Sequence, residues 1–199
     1  MRSFKRTGSK TEELVFLAVM TAVVVILQIM AILTRAVLPV FSINLVLIPI
    51  VIGAAIGGVR AGAWLGFASG VAVLVSGDAA AFLAVNVPGT IIVVLLKGLA
   101  SGVAAALVYK LFEKKNTYLA VVLAAIACPL ANTGVFVVGC FVFFLDTIKL
   151  WGAGLGYDNA FLYVILGMVG INFIIELTIN MILSPTVIKL INIKSKDVK

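Results

Sequence analysis

LVLIPIVIGAAIGGVRAGAWLGFASGVAVLV, residues 45–75, holds two apolar runs joined by a single break, GGVR at 57–60. Neither run alternates apolar with polar residues, as a strand of an outer-membrane barrel would. Both read as helices, and a glycine pair followed by an arginine reads as a tight turn between them. The stretch therefore predicts a helical hairpin too apolar for water. Composition agrees. Of 199 residues, 63% are hydrophobic and 12% charged, and the mean hydropathy is +1.27. Soluble domains sit nearer one-half apolar and about one-quarter charged.

Outward from the hairpin, further apolar runs appear at 14–33, 88–112, 118–145 and 160–190. A membrane helix needs about 20 apolar residues to cross a ~30 Å hydrocarbon core, and only helices or closed barrels satisfy their backbone there. The expectation is an all-α integral membrane protein of six transmembrane helices, the second of them short. It forms a single domain over 1–199, with short basic tails at 1–13 and 192–199.

Basic residues orient this bundle. Arg2, Lys5, Arg6 and Lys10 precede the first span, and Arg60 lies in the hairpin turn. Lys110, Lys114 and Lys115 separate spans four and five, and Lys189, Lys194, Lys196 and Lys199 close the chain. All fall on one side of a six-span arrangement, whereas the other side holds only Arg35 and Lys149. By the positive-inside rule both termini are cytoplasmic. The net charge of +7 is then a topological signal rather than a nucleic-acid footprint. The first span is too long for a signal-peptide core and lacks a small-residue cleavage site, so it is expected to be retained.

Much chemistry is excluded. The chain has no histidine, which removes the usual zinc hydrolases and His-activated nucleophiles. It carries no Walker A sequence for ATP, no cofactor motif, and no paired carboxylates in its apolar runs. Cys128 and Cys140 lie on one expected helix about 18 Å apart, beyond disulfide reach, and read as core packing.

The polar residues inside the spans are few and stand out. Lys97 lies about 13 Å into span four and Glu176 well inside span six, where an ionised group must be paired or face a polar cavity. They read either as a structural ion pair or as the lining of a substrate cavity, and the two roles are compatible. Asn172, Glu176 and Asn180 share one helix stripe by their spacing of four. Asn172 is nearest the outer side and suits a ligand, whereas Asn180 is deeper and reads as structural glue. In PLANTG, Pro129 disturbs span five beside Asn132 and Thr133, a plausible binding element. The outer loops, 34–44, 76–89 and 146–159, suit a lid over a small molecule. Asn86 is a better contact there than Asp78, while Trp151 and Tyr157 read as interfacial anchors.

Two small-residue patterns complete the inventory. Gly62, Gly66 and Gly70 form a close-packing stripe in span three, best read as packing within the bundle. In AVMTA, Ala18 and Ala22 make a thin stripe four residues apart on span one.

Together these features resemble the substrate-binding S component of energy-coupling factor (ECF) vitamin transporters. The resemblance is carried by FSINLVLIPIVIGAAIGGVRAGAWLGFASGV (41–71), VPGTIIVVLLKGLASG (87–102), PLANTGVFVVGCFVFF (129–144) and the AxxxA of span one. It covers nearly the whole chain. It implies a subunit of the prokaryotic cell membrane that binds a vitamin with high affinity from outside and topples in the membrane to release it. It also implies partners: a transmembrane coupling subunit, met by Ala18 and Ala22, and two ATP-binding cassette ATPases that supply hydrolysis. On that reading the chain is not itself an enzyme. Asn86, Lys97, Asn132, Thr133, Asn172 and Glu176 are the expected substrate-binding residues. Lys97 favours pantothenate or another small anionic vitamin, with riboflavin second. A stand-alone ion-coupled carrier using Lys97 and Glu176 is the main alternative, although no inverted repeat is evident. A membrane enzyme or assembly factor is a third reading.

Overall fold

The computed structural model describes residues 10–37 and 45–196. Arg2, Lys5, Arg6, Lys199 and loop positions 38–44 lie outside the described residues. The elements in chain order are α1 (Lys10–Val37), α2 (Leu47–Val75), α3 (Ala80–Leu83), α4 (Val87–Phe112), α5 (Thr117–Phe143), α6 (Leu145–Gly154) and α7 (Ala160–Leu162). A π-helical segment, Tyr163–Gly170, then leads into α8 (Ile171–Lys196). No strand occurs among the described residues. Five helical stretches there are long and apolar enough to cross a membrane: Lys10–Leu33, α2, α4, α5 and Ala160–Lys189.

The helical run of α2 is interrupted at Gly58, where φ 72° and ψ −160° leave the helical region. A side chain strongly disfavours that conformation, which explains glycine at this position. The chain reverses there. Leu65 packs its Cδ1 onto Gly53, Ala61 meets Gly57, and Ala54 faces Gly62. In one straight helix Gly53 and Leu65 would stand about 18 Å apart. The arms at 47–57 and 59–75 are thus folded against each other, with Arg60 exposed beside the turn.

Helix α4 packs against both α2 and α5, while α1 lies on α2 and α8 on α5 and α2. The glycine stripe explains the α2–α4 contact. A Cβ at Gly62 would strike the carbonyl oxygen of Gly102, and one at Gly66 that of Gly98; the reverse holds from α4. At Gly70 the limit is the Val94 carbonyl oxygen, 2.9 Å from where a Cβ would sit. Backbone therefore meets backbone along the seam, where dispersion and Cα–H···O contacts replace side-chain interdigitation. The stripe is internal packing.

Two apolar clusters flank this seam. Near Gly58, small residues such as Ala105, Ala120, Ala124 and Cys128 close around Val24, Ile50 and Val121. Toward the opposite end the cluster is aromatic, with Phe144 and Tyr163 buried and Phe82, Phe136 and Trp151 packed on them. Helix starts are fixed locally by asparagines. Asn116 accepts from Tyr118 N at 2.9 Å and Leu119 N at 3.2 Å, and Asn159 accepts from Leu162 N at 2.8 Å. An asparagine cap satisfies amides that the first turn cannot pair. Cys128 and Cys140 are both free and buried.

Candidate aromatic and polar site

The end of the bundle away from Gly58 carries the short helices α3 and α6. Phe82 on the short helix α3 turns into the bundle and meets three rings from other elements. Its centroid lies 5.8 Å from Phe136, 4.9 Å from Phe144 and 5.5 Å from Trp151, each edge-on. Edge-to-face pairs contribute about 0.5–1.5 kcal/mol each beyond the area they bury. Trp151 is partly buried and packs edge-on to Phe82. Tyr157 likewise packs on Tyr163, 5.3 Å between centroids.

Directly beneath this aromatic cap lies Lys97. Its Nζ sits 5.3 Å from the centroid of the Phe136 ring. A desolvated cation over an aromatic face gains about 2 kcal/mol, which offsets part of the cost of a charge at this depth. Cys140 is within electrostatic reach of Lys97, and Cys128 within reach of Glu176.

The facing stripe of α5 runs Cys128, Asn132, Phe136 and Cys140, four residues apart and so on one side of the helix. Asn132 and the adjoining Thr133 are partly buried, and neither side chain hydrogen-bonds to another described residue. Thr21, Thr90 and Thr178 each donate to the carbonyl four residues back. Thr133 does not. An amide and a hydroxyl without partners in an apolar bundle are poised to hydrogen-bond something else.

On α8, Asn172 and Glu176 are partly buried, whereas Asn180 is 4% exposed. Asn180 Nδ2 donates to the Glu176 carbonyl at 2.8 Å, and Ser184 Oγ donates to the Asn180 carbonyl at 2.8 Å. The stripe is thus closed on itself at depth, in keeping with a structural Asn180. Asn86 caps α4, accepting from Gly89 N at 3.0 Å, and also lines a cavity of about 560 Å³ with Phe143, Phe144, Asp146 and Thr147.

Two features carry no clear sequence signal. Gln28, only 3% exposed, donates from Nε2 to Asp78 Oδ2 at 3.4 Å and ties α1 to the turn after α2. The π-helical segment before Asn172 is the other, and such segments recur at functional sites.

Residues 12–188 match the family model of the ECF transporter substrate-specific component. The chain belongs to that family. Neither the curated proteins nor the solved structures yield a match. As an S component it is a multi-pass membrane protein and the substrate-binding subunit of an ECF transporter, whose module of coupling subunit and ATPases completes the assembly.

The AVMTA stripe of this S component faces outward. Ala18 and Ala22 are exposed on α1, as are Leu14, Val19 and Ile26 on the same helix. Between the two alanines, Thr21 Oγ donates to the Leu17 carbonyl at 2.7 Å and accepts from Trp64 Nε1 at 3.1 Å. The indole stays half exposed beside the stripe, with Phe67 6.3 Å away.

Proposed function

We propose that this S component has six membrane spans with cytoplasmic termini and binds a small anionic vitamin such as pantothenate from outside. The reversal of α2 at Gly58 supports the count, since it would divide the one apolar stretch Leu47–Val75 into two spans, the first of them short. The grouping of Arg60, Lys110, Lys114 and Lys115 at the Gly58 end supports the orientation.

The observation that carries the binding reading is the juxtaposition of Lys97, held over Phe136, with the unpartnered Asn132 and Thr133 on the same α5 segment. Lys97 would meet the ligand carboxylate. Asn132 and Thr133 would take its amide or hydroxyl groups, with Asn172 and Glu176 approaching from α8 and Asn86 from the entrance. The aromatic group around Phe82 favours riboflavin as the second reading, because a flat ring system stacks on such surfaces.

A thermal-shift screen of the purified protein against B vitamins tests this directly, since a ligand bound at 100 times its Kd stabilises the native state by about 2.7 kcal/mol. Pantothenate is expected to give the largest shift. No shift with any anionic vitamin would overturn the reading, and a riboflavin-only shift would select the second. For Lys97→Met we expect pantothenate affinity to fall roughly 10- to 100-fold, the range for losing a charge-assisted hydrogen bond worth about 1.5–3 kcal/mol. Unchanged affinity by titration calorimetry would leave Lys97 a purely structural cation. Uptake in a host without any coupling module separates an S component from a stand-alone ion-coupled carrier: strong accumulation there would favour the carrier.

A further inference from the structure

At the Gly58 end, on the opposite side of the bundle from Lys97 and its aromatic cap, lies a second cavity of about 380 Å³ between the α2 turn and the last turns of α4. Its walls include Ala54, Ala55, Val59 and Ala106, and its polar lining is Arg60, Tyr109, Lys110 and Glu113. Arg60 and Lys110 are exposed, and neither forms an ion pair with another described residue. Tyr109 is 5% exposed, yet its hydroxyl has no hydrogen-bond partner among the described residues. A buried phenol that lines a cavity and has no hydrogen-bond partner points to a missing acceptor. Glu113 is the charged group that acts on this phenol, but Arg60 and Lys110 in the same lining outnumber that carboxylate and favour an anion as the added acceptor.

We infer that this cavity holds the phosphate of an anionic phospholipid, with Arg60 and Lys110 supplying charge and Tyr109 a hydrogen bond. The position fits. Basic residues at the end of a membrane bundle sit at headgroup level, and basic pockets between helices there take phosphate headgroups. Exposed Leu107 and Leu111 continue α4 on the adjoining face and offer an apolar path for the acyl chains. Glu113 leaves the lining with one net positive charge, matched to a single phosphodiester, and repels a second anionic group. The leaflet follows from the orientation proposed above; the headgroup chemistry does not depend on it.

The test is native mass spectrometry of the detergent-purified protein with dioctanoyl phosphatidylglycerol, dioctanoyl phosphatidylcholine or inorganic phosphate. The unsubstituted protein is expected to retain phosphatidylglycerol over phosphatidylcholine. Retention should fall at least tenfold in the Arg60→Gln/Lys110→Gln double variant and several-fold in Tyr109→Phe, and should rise in Glu113→Gln. Tyr109→Phe removes one oxygen only, so an unchanged melting temperature confirms that it folds. Equal retention in the protein and both cavity variants overturns the inference, as does displacement of the lipid by millimolar inorganic phosphate. The readout involves neither vitamin nor ATPase, so its failure leaves the transport reading intact.

Discussion

Replacing Gly98 or Gly66 with valine should destroy the folded bundle. At both positions a Cβ would fall on the carbonyl oxygen of the partner glycine, in direct conflict with backbone. Overpacking against a side chain costs about 1–3 kcal/mol because the neighbour can move to another rotamer. A backbone carbonyl inside a helix has no such freedom, so about 3 kcal/mol or more is expected here. That is a large share of the ~5–15 kcal/mol that keeps a domain folded. The measurement is recovery of monodisperse protein in detergent, with the melting temperature of whatever survives; a fall on the order of 10 °C is expected. Gly134→Ala is the control. Nothing lies within 4 Å of the position a Cβ would take there, and alanine in a helix interior is favoured over glycine by about 1 kcal/mol. A Gly98→Val protein that melts like the parent would show that the helices can separate, and that the seam is not the closest contact in the fold.

The second large effect is expected far from the ligand. Ala18→Leu and Ala22→Leu place bulk on the exposed face of α1, and leucine suits a helix. Exposed changes of this kind shift stability by no more than about 0.5 kcal/mol, so vitamin binding to the isolated subunit should be unaltered. Uptake in cells that also carry the coupling subunit and ATPases should nevertheless drop to background. The reason is steric. Helices in lipid approach through small residues because no hydrophobic gain drives them together, and an added isobutyl group holds the backbones apart. Parallel uptake and co-purification assays check this. Full uptake by both variants would remove α1 from the docking surface.

The large-scale arrangement is legible in the sequence because lipid imposes it. Long apolar runs locate α1, α4, α5 and α8, and the GGVR break marks the turn now seen at Gly58. Gly62, Gly66 and Gly70 are readable as a packing stripe from their spacing alone, although their partners Gly98 and Gly102 emerge only from the fold. The site is less legible. Phe82 sits in a loop of small residues, and its ring partners are spread over α5, α6 and the junction between them. No local pattern links them. Lys97 stands out by its charge, and Glu176 is the partner its sequence suggests. The Phe136 face is invisible until α4 and α5 are packed. Asn86 lies between two roles, as its place just before Val87 and Pro88 also marks a helix cap.

The pairing of Thr21 with Trp64 bears on a problem any reversible membrane partner must solve. A surface that associates and then lets go spends part of its working cycle against hydrocarbon and part against protein. A hydroxyl with neither its hydrogen nor a lone pair engaged would suit only one of those surroundings. Thr21 spends its hydrogen on Leu17 and a lone pair on the indole, so its polarity is settled within the subunit. What the neighbourhood of Ala18 and Ala22 shows the outside world is therefore aliphatic groups and the Trp64 ring, surfaces equally at ease with an acyl chain or another helix. Such neutrality lets contact be governed by shape, and makes parting no costlier than meeting.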